Sequence, residues 1–313
     1  MGDILAVLGL GERGAARAMI GAWDRILAAV RPAAVMSDFA PGLMLASFGR
    51  LPLLSVGTGF ALPPAHLDRF PSLTRQPTVH DEAGLVEIIN EALAAHGRPR
   101  RASLPGIFSA DREIAAVFTE LDPYRPWRQS RPGAPSAIVP EELAGGGDEL
   151  FVYMNGIEPR SNALWQGLLQ SGLKVRIHDP MLSRADRAKL AAAGFAVEDK
   201  KVPFETIVAR SRLVLSHGGL GFVCSALLAG LPQIILPYDI EKRMIAAGVT
   251  EIGLGHRVAY EALEAESLGA LLRSAHEDEA LAGQARAAAP GFRARMGISA
   301  QAEAADAIEA LLA

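Results

Sequence analysis

The 313-residue sequence predicts an α/β protein of two doubly wound domains, each a parallel sheet wrapped by helices. Three features predict it. The length suits two domains of roughly 150 residues, each with its own core. Short apolar runs alternate with helical stretches, the pattern of parallel strands buried on both faces. Between residues 123 and 147 the alternation is broken by Pro123, Pro126, Pro132, Gly133, Pro135, Pro140 and the run Gly145, Gly146, Gly147, as in an interdomain linker. The boundary is therefore expected near residue 140, giving one domain over 1–140 and another over 141–313.

In the first domain, residues 33–37 and 52–56 read as strands around a helix over 41–48, where Pro41 suits a first helical turn. Residues 82–95 read as an amphipathic helix and 114–118 as a further strand. Three strands make a thin sheet, so this domain is expected to be incomplete. In the second domain, strands are expected at 150–154, 173–178, 195–197, 213–216 and 233–236. Helices are expected between them at 161–170, 183–192, 204–209, 221–229 and 240–247.

Composition narrows the function. Half the residues are apolar and 21% are charged, with a formal net charge of −4. A polyanion partner is not expected, so nucleic acid is set aside. The single cysteine, Cys224, lies in an apolar run and is expected to be a buried core residue; a disulfide framework is excluded. Asp3 interrupts the first apolar stretch and no basic segment precedes it, so no secretory signal is expected. The longest apolar region, 220–237, is broken by Gly221, Gly230, Pro232 and Gln233, short of the ~20 apolar residues a spanning helix needs. A cytoplasmic protein without a transmembrane segment is expected.

The segment RLVLSHGGLGFVCSALLAGLPQIILPYDIEK, residues 212–242, reads strand, glycine loop, helix, strand, loop, helix. Gly218, Gly219 and Gly221 stand where the strand hands over to the helix. Without Cβ atoms they let backbone N–H groups approach a ligand, and the helix points its positive end at the same spot. That is an anion site suited to a diphosphate, and His217 can add a hydrogen bond to a phosphate oxygen. The same glycines would also serve a tight turn with close helix–strand packing, and His217 would then be a core residue.

The extended pattern S-H-G-G-x-G, A-L-x-x-G-x-P-Q and P-x-x-x-E runs without a gap from Ser216 to Glu241. It resembles the donor-binding signature of the GT-B family of UDP- and dTDP-sugar glycosyltransferases, which includes antibiotic, macrolide and plant natural-product enzymes. The resemblance implies a GT-B-like fold of two Rossmann-like domains. The N-terminal one is short here, since the family carries roughly a hundred residues, most of a small domain, before the region matching Trp23. It further implies sugar transfer from a nucleotide-sugar co-substrate to the hydroxyl of a small-molecule or lipid acceptor, held in a cleft between the domains. Inversion is implied, with neither a metal nor a bound cofactor.

Residue by residue, the resemblance puts His217 and the N–H groups around Gly218, Gly219 and Gly221 on the donor diphosphate. Glu241 would contact hydroxyls of the transferred sugar. Asn155 and Gly156, after the first strand of the second domain, would approach the phosphates, and Val202 would lie in the base-contacting loop. Three positions depart from the pattern: Phe222 replaces a Thr or Ser hydroxyl, Ser225 replaces the ribose-binding glutamate of plant members, and Lys242 replaces a glutamine. Lys242 would add positive charge near the donor.

In the family a histidine on an early loop deprotonates the acceptor, oriented by an aspartate. Asp38, in V-M-S-D-F, matches the aspartate, although it would also serve as a cap for the helix starting near Pro41. The first histidine of the chain, His66, follows Asp38, so the base has no counterpart. This leaves open a non-catalytic, nucleotide-sugar-binding auxiliary relative, and the thin sheet's exposed edge would suit a homodimer. A third reading starts from Gly9, Gly11 and Gly14, a formal G-x-G-x-x-G that would make the chain an NAD(P)-dependent oxidoreductase with Asp38 on a ribose. Asp38 lies farther on than the usual distance of about 20 residues, and Ile4, Leu5, Leu8 and Leu10 equally fit a short helix.

Overall fold

The computed structural model describes residues 1–74, 76–155 and 162–313. They pack as two units, Met1–Ala134 with Ile298–Ala313, and Pro135–Gly297.

The first unit opens with α1 (Gly2–Leu5), a π-helical turn (Ala6–Leu10) and α2 (Arg13–Val30). Then follow β1 (Val35–Asp38), α3 (Pro41–Ser47), β2 (Leu53–Gly57), α4 (Glu82–Ala95) and β3 (Arg112–Ala115). The strands are parallel in the order β1-β2-β3, with Val35 opposite Leu53 and Leu54 opposite Arg112. Ala16, Ile20 and Leu27 give α2 one buried stripe, which joins Leu5, Leu10, Leu45, Ile89 and Phe108 in a single core. Asp81 caps α4 by accepting from the Gly84 N–H at 2.9 Å. Arg128 ion-pairs with the buried Asp122 and donates to the Gly59 and Leu62 carbonyls at 3.2 and 3.1 Å. It thereby fastens the segment after β3 to the loop after β2.

Two expectations change here. Residues 114–118 read as one strand, but the ladder ends at Ala115, where the Val117 N–H turns back onto the Ala115 carbonyl at 3.0 Å. Val117 and Phe118 are buried by packing outside the ladder. The glycines at 9, 11 and 14 do not follow a strand: residues 2–10 form helical turns with a kink at Gly9 (φ 99°), Leu5 and Leu10 are buried in the core, and Gly14 lies within α2. A dinucleotide fingerprint needs a strand delivering its first glycine, so the oxidoreductase reading fails.

The second unit contains β4 (Glu149–Tyr153), α5 (Asn162–Ser171), β5 (Lys174–His178), α6 (Arg184–Ala192), β6 (Ala196–Val197) and α7 (Phe204–Arg210). It continues with β7 (Ser211–Ser216), α8 (Leu220–Ala229), β8 (Gln233–Ile235), α9 (Ile240–Glu251), β9 (Gly255–Arg257), α10 (Ala265–Glu277) and α11 (Glu279–Arg293). All pairings are parallel, in the order β6-β5-β4-β7-β8-β9. Alternate residues feed opposite layers. Leu150, Val152, Leu213 and Leu215 pack with Leu164 and Leu168 of α5 and Leu268 and Leu272 of α10. Phe151 and Val214 pack on the other face with Phe204 and Ile207 of α7 and Ala226 of α8. Each such large side chain contributes about 1.5–3 kcal/mol on burial. Gly167 lets α5 and α10 approach, since a Cβ there would stand 2.8 Å from Leu268 Cδ2.

Cys224 is buried, as expected. The last helix, α12 (Ala300–Leu312), is capped by Ser299 and packs on β2 and β3 of the first unit. A division at residue 140 assigns it to the second domain; in the structure the chain crosses back after Gly297. Among the described residues no helix is long and apolar enough to cross a membrane.

Candidate functional site

The second sheet grows in both directions from the β4–β7 pair, which makes that pair its switch point. The carboxyl ends of the two strands, Tyr153 and Ser216, stand opposite each other. Open parallel sheets take ligands at such a crevice because the two neighbouring crossovers leave on opposite faces. Here the chain leaves β7 through a turn that only glycine allows. Gly218 has φ 91°, and a Cβ on it would come within 2.8 Å of Ile235 Cγ2. Its N–H donates to Ser216 Oγ at 3.2 Å. Gly219 then caps α8 without any side-chain hydrogen bond, and the first helical bond runs from the Val223 N–H to the Gly219 carbonyl at 3.0 Å. The N–H groups of the first turn therefore face outward with the helix dipole behind them.

His217 sits beside this turn, 5% exposed, its ring 5.3 Å from Tyr153 and 6.0 Å from Tyr238. Its Nδ1 is buried, and its Nε2 lies 3.0 Å from where a Cβ on Gly219 would stand, on the side of the glycine turn. Burial, and secondarily the Lys242 ammonium, lowers its pKa, so at neutral pH the ring is uncharged. A group depressed in this way binds fewer protons than it does in the unfolded chain. Stability is complete above the ordinary imidazole value of about 6.5 and falls as the pH drops below it, through His217's own lowered pKa. Urea unfolding at about pH 7.5 and 5.5 should show this loss, and His217→Gln should shrink it. Identical losses in the two proteins would assign the effect elsewhere.

Below the turn lies a cavity of about 470 Å³, within the size range of small-ligand sites. Phe222, in the first turn of α8, forms part of its wall, with its ring 4.9 Å from Tyr153, 6.2 Å from Phe151 and 5.9 Å from Phe204. Read from sequence, Phe222 is a lost hydroxyl; in the structure it joins a cluster of four aromatic rings. His178, at the end of β5, lies parallel to Tyr153 at 6.0 Å. Val202, Lys201 and the segment from Ser136 to Ile138 complete the wall. Burial raises the Tyr153 pKa, with Asp179 and Tyr238 adding to it, so the phenol stays protonated.

On the other side of the turn, Asp239 caps α9 by accepting from the Lys242 N–H at 2.9 Å and also ion-pairs with Lys242 Nζ. That Nζ lies 4.6 Å above the Tyr238 ring. Burial opposes the ammonium's charge, but Asp239 outweighs it and the Lys242 pKa is raised. Glu241 occupies the same first turn and does not line the cavity. Asn155 is exposed just beyond β4. Gly156 lies outside the described residues.

In the first unit Asp38 ends β1, exposed, with Oδ1 3.1 Å from where a Cβ on Gly57 would stand. It does not cap α3, whose N-cap is Ala40 without a side-chain bond. Phe39, the next residue, holds a left-handed φ of 41°, a strained conformation for a bulky side chain. Among the described residues of the first unit, no histidine pairs with Asp38. His80 pairs with Asp3 at 2.9 Å and His96 with Asp24 at 3.1 Å. His66 lines a separate cavity with Arg112 and Glu113, at the amino end of β3.

Tyr153, His178, Lys201 and residues 136–138 did not emerge from the sequence as site residues. Tyr153 and His178 carried one usable signal: each ends a parallel strand, where ligands of such sheets gather.

The whole chain superposes on solved glycosyltransferases. The calicheamicin glycosyltransferase gives a TM-score of 0.65 at 20% identity, over 98% of this chain and 79% of that one. The glycosyltransferase of kitacinnamycin gives 0.67 at 17% identity, over 99% and 84%. These likenesses establish the GT-B fold. Residues 180–307 match the family described as erythromycin biosynthesis protein CIII-like, C-terminal domain. The chain thus has the GT-B fold and, over part of its length, resembles glycosyltransferases.

Curated glycosyltransferases match parts of the chain. The chain is 30% identical over 194 residues to the UDP-N-acetylglucosamine–N-acetylmuramyl-(pentapeptide) pyrophosphoryl-undecaprenol N-acetylglucosamine transferase of Rhodopseudomonas palustris, covering 56% of this chain and 49% of the relative. It is 29% identical over 109 residues to the O-mycaminosyltylonolide 6-deoxyallosyltransferase of Streptomyces fradiae, covering 34% and 26%. The chain thus spans half or less of the length of both.

Proposed function

We propose that the second unit binds the nucleotide-sugar donor, UDP- or dTDP-linked, and that the protein transfers the sugar to an acceptor hydroxyl with inversion and without a metal. The observation that carries this reading is the amino end of α8, uncapped by any side chain, with the uncharged His217 ring beside it, its Nε2 3.0 Å from where a Cβ on Gly219 would stand. A diphosphate at that spot would accept from the first-turn N–H groups and from His217, and the nucleoside would enter the aromatic cavity past Val202. Thymidine diphosphate complexes of two solved neighbours, at 17% and 15% identity, are in keeping with such a donor.

In the reaction the acceptor oxygen attacks the anomeric carbon as its bond to the diphosphate oxygen breaks. Negative charge grows on the leaving phosphate. The α8 N–H groups, His217 and the Lys242 ammonium would stabilise it, the task a divalent cation performs elsewhere. Asn155 would approach the same phosphates, and Glu241 would receive hydroxyls of the transferred sugar. The acceptor is a small molecule or a lipid, in keeping with the tylonolide and undecaprenol acceptors named for the relatives. Asp38 would orient a base on the acceptor side.

Calorimetry tests the donor site. His217→Ala should weaken dTDP or UDP binding by about 1–3 kcal/mol, the loss expected for one hydrogen bond to a charged group. Glu241→Ala should weaken nucleotide-sugar binding while sparing the free nucleotide. Unchanged nucleotide affinity in His217→Ala would refute the assignment. The second reading, an auxiliary relative that binds the donor without turning it over, is favoured by the lack of a histidine paired with Asp38 among the described residues of the first unit.

A further inference from the structure

Ser225 stands where plant members of the family carry the ribose-binding glutamate, yet its hydroxyl is engaged within the protein. It is 2% exposed. Its Oγ accepts from the Ile138 N–H at 2.8 Å and donates its proton to the Gly221 carbonyl at 2.8 Å. Ile138 belongs to the segment that enters the second unit, and Ser136, Ala137 and Ile138 form one wall of the aromatic cavity. The same segment presses on the glycine loop, since the Ser136 carbonyl lies 3.1 Å from where a Cβ on Gly221 would stand. Gly221 therefore makes room for the entering chain as well as for a ligand.

We infer that Ser225 is a positioning residue of the donor site: it pins the entering segment against α8 and so sets the width of the nucleoside half of the pocket. The inference rests on the donor-site reading above. One hydroxyl joins the two halves of the site. Its proton holds the first-turn carbonyl of the helix that faces the diphosphate, and its lone pair holds the wall that faces the nucleoside. The Ile138 side chain is itself 40% exposed, so its backbone N–H is its tie to α8. Losing the bond frees the wall while leaving the backbone N–H groups of α8 where they are. The nucleoside and the diphosphate should therefore respond differently.

The test titrates dTDP, UDP and inorganic pyrophosphate into the wild type, Ser225→Ala, Ile138→Pro and the double variant by calorimetry. Ile138→Pro removes the donor N–H without touching α8, so the question survives if Ser225→Ala folds poorly. Each single variant should raise the nucleotide Kd about three- to tenfold, the equivalent of one hydrogen bond, and leave the pyrophosphate Kd within about twofold. The double variant should bind nucleotide no more weakly than the weaker single, because both changes break one bond. Unchanged nucleotide affinity in both singles, parallel losses for pyrophosphate, or additive losses in the double would each overturn the inference. A wild type that binds neither dTDP nor UDP would instead overturn the donor-site reading beneath it.

Discussion

Gly218→Ala should lose both stability and nucleotide affinity, and by more than any other single change in the loop. Its φ of 91° lies where an L side chain is strained by about 1–2 kcal/mol. The new Cβ would also stand 2.8 Å from Cγ2 of the fully buried Ile235, and overpacking of this kind costs about 1–3 kcal/mol. Urea unfolding should therefore record a loss of about 2–5 kcal/mol. Relief of the clash would pull the turn off β8 and misdirect the first-turn N–H groups of α8, so nucleotide affinity should fall as well. A variant as stable as the wild type would mean that the turn tolerates a side chain and that the glycine serves neither purpose.

Assayed as it stands, the 313-residue chain should consume donor very slowly or not at all. General-base catalysis contributes about 10²- to 10⁴-fold, and nothing described in the first unit supplies the base. Asp38 is at the carboxyl end of β1, His66 lines a cavity at the amino end of β3, and Asp3 and Asp24 hold His80 and His96. The measurement is donor consumption with a panel of hydroxyl acceptors, for the wild type and for Asp38→Asn. Robust turnover undiminished by Asp38→Asn would show that a different group takes the proton.

The second unit was legible because its strands are buried on both faces, so each is a contiguous apolar run with polar breaks around it. Leu213, Val214 and Leu215 are all buried, and no alternation has to be recognised. The first unit hid more. Residues 114–118 are apolar throughout, but hydrophobicity does not distinguish ladder from packed loop, and the strand ends at Ala115. The placement of α12 was illegible for a related reason: none of its residues is buried, so no stripe in its sequence points to one core or the other. At the amino terminus a glycine spacing matched a fingerprint while the residues around it were spaced for a helix, and the helix won.

The site divides in the same way. His217 and the glycines are contiguous, and strand, loop and helix follow one another in the sequence, so the anion-binding turn could be read directly. The cavity beneath it draws on the ends of β4 and β5, the loop before α7 and the entering segment at 136–138. Only the fold brings these together. Phe222 and Ser225 were legible as departures from a pattern, but what they do instead, lining an aromatic wall and pinning an entering segment, depends on neighbours distant in sequence.

The most direct test of the central claim is a crystal structure of the chain with dTDP or UDP. The account predicts phosphate oxygens within hydrogen-bonding distance of His217 and the first-turn N–H groups of α8, with the base among Val202, Tyr153 and Phe222. A nucleotide bound elsewhere, with no phosphate oxygen near the His217 ring or the first turn of α8, would contradict it.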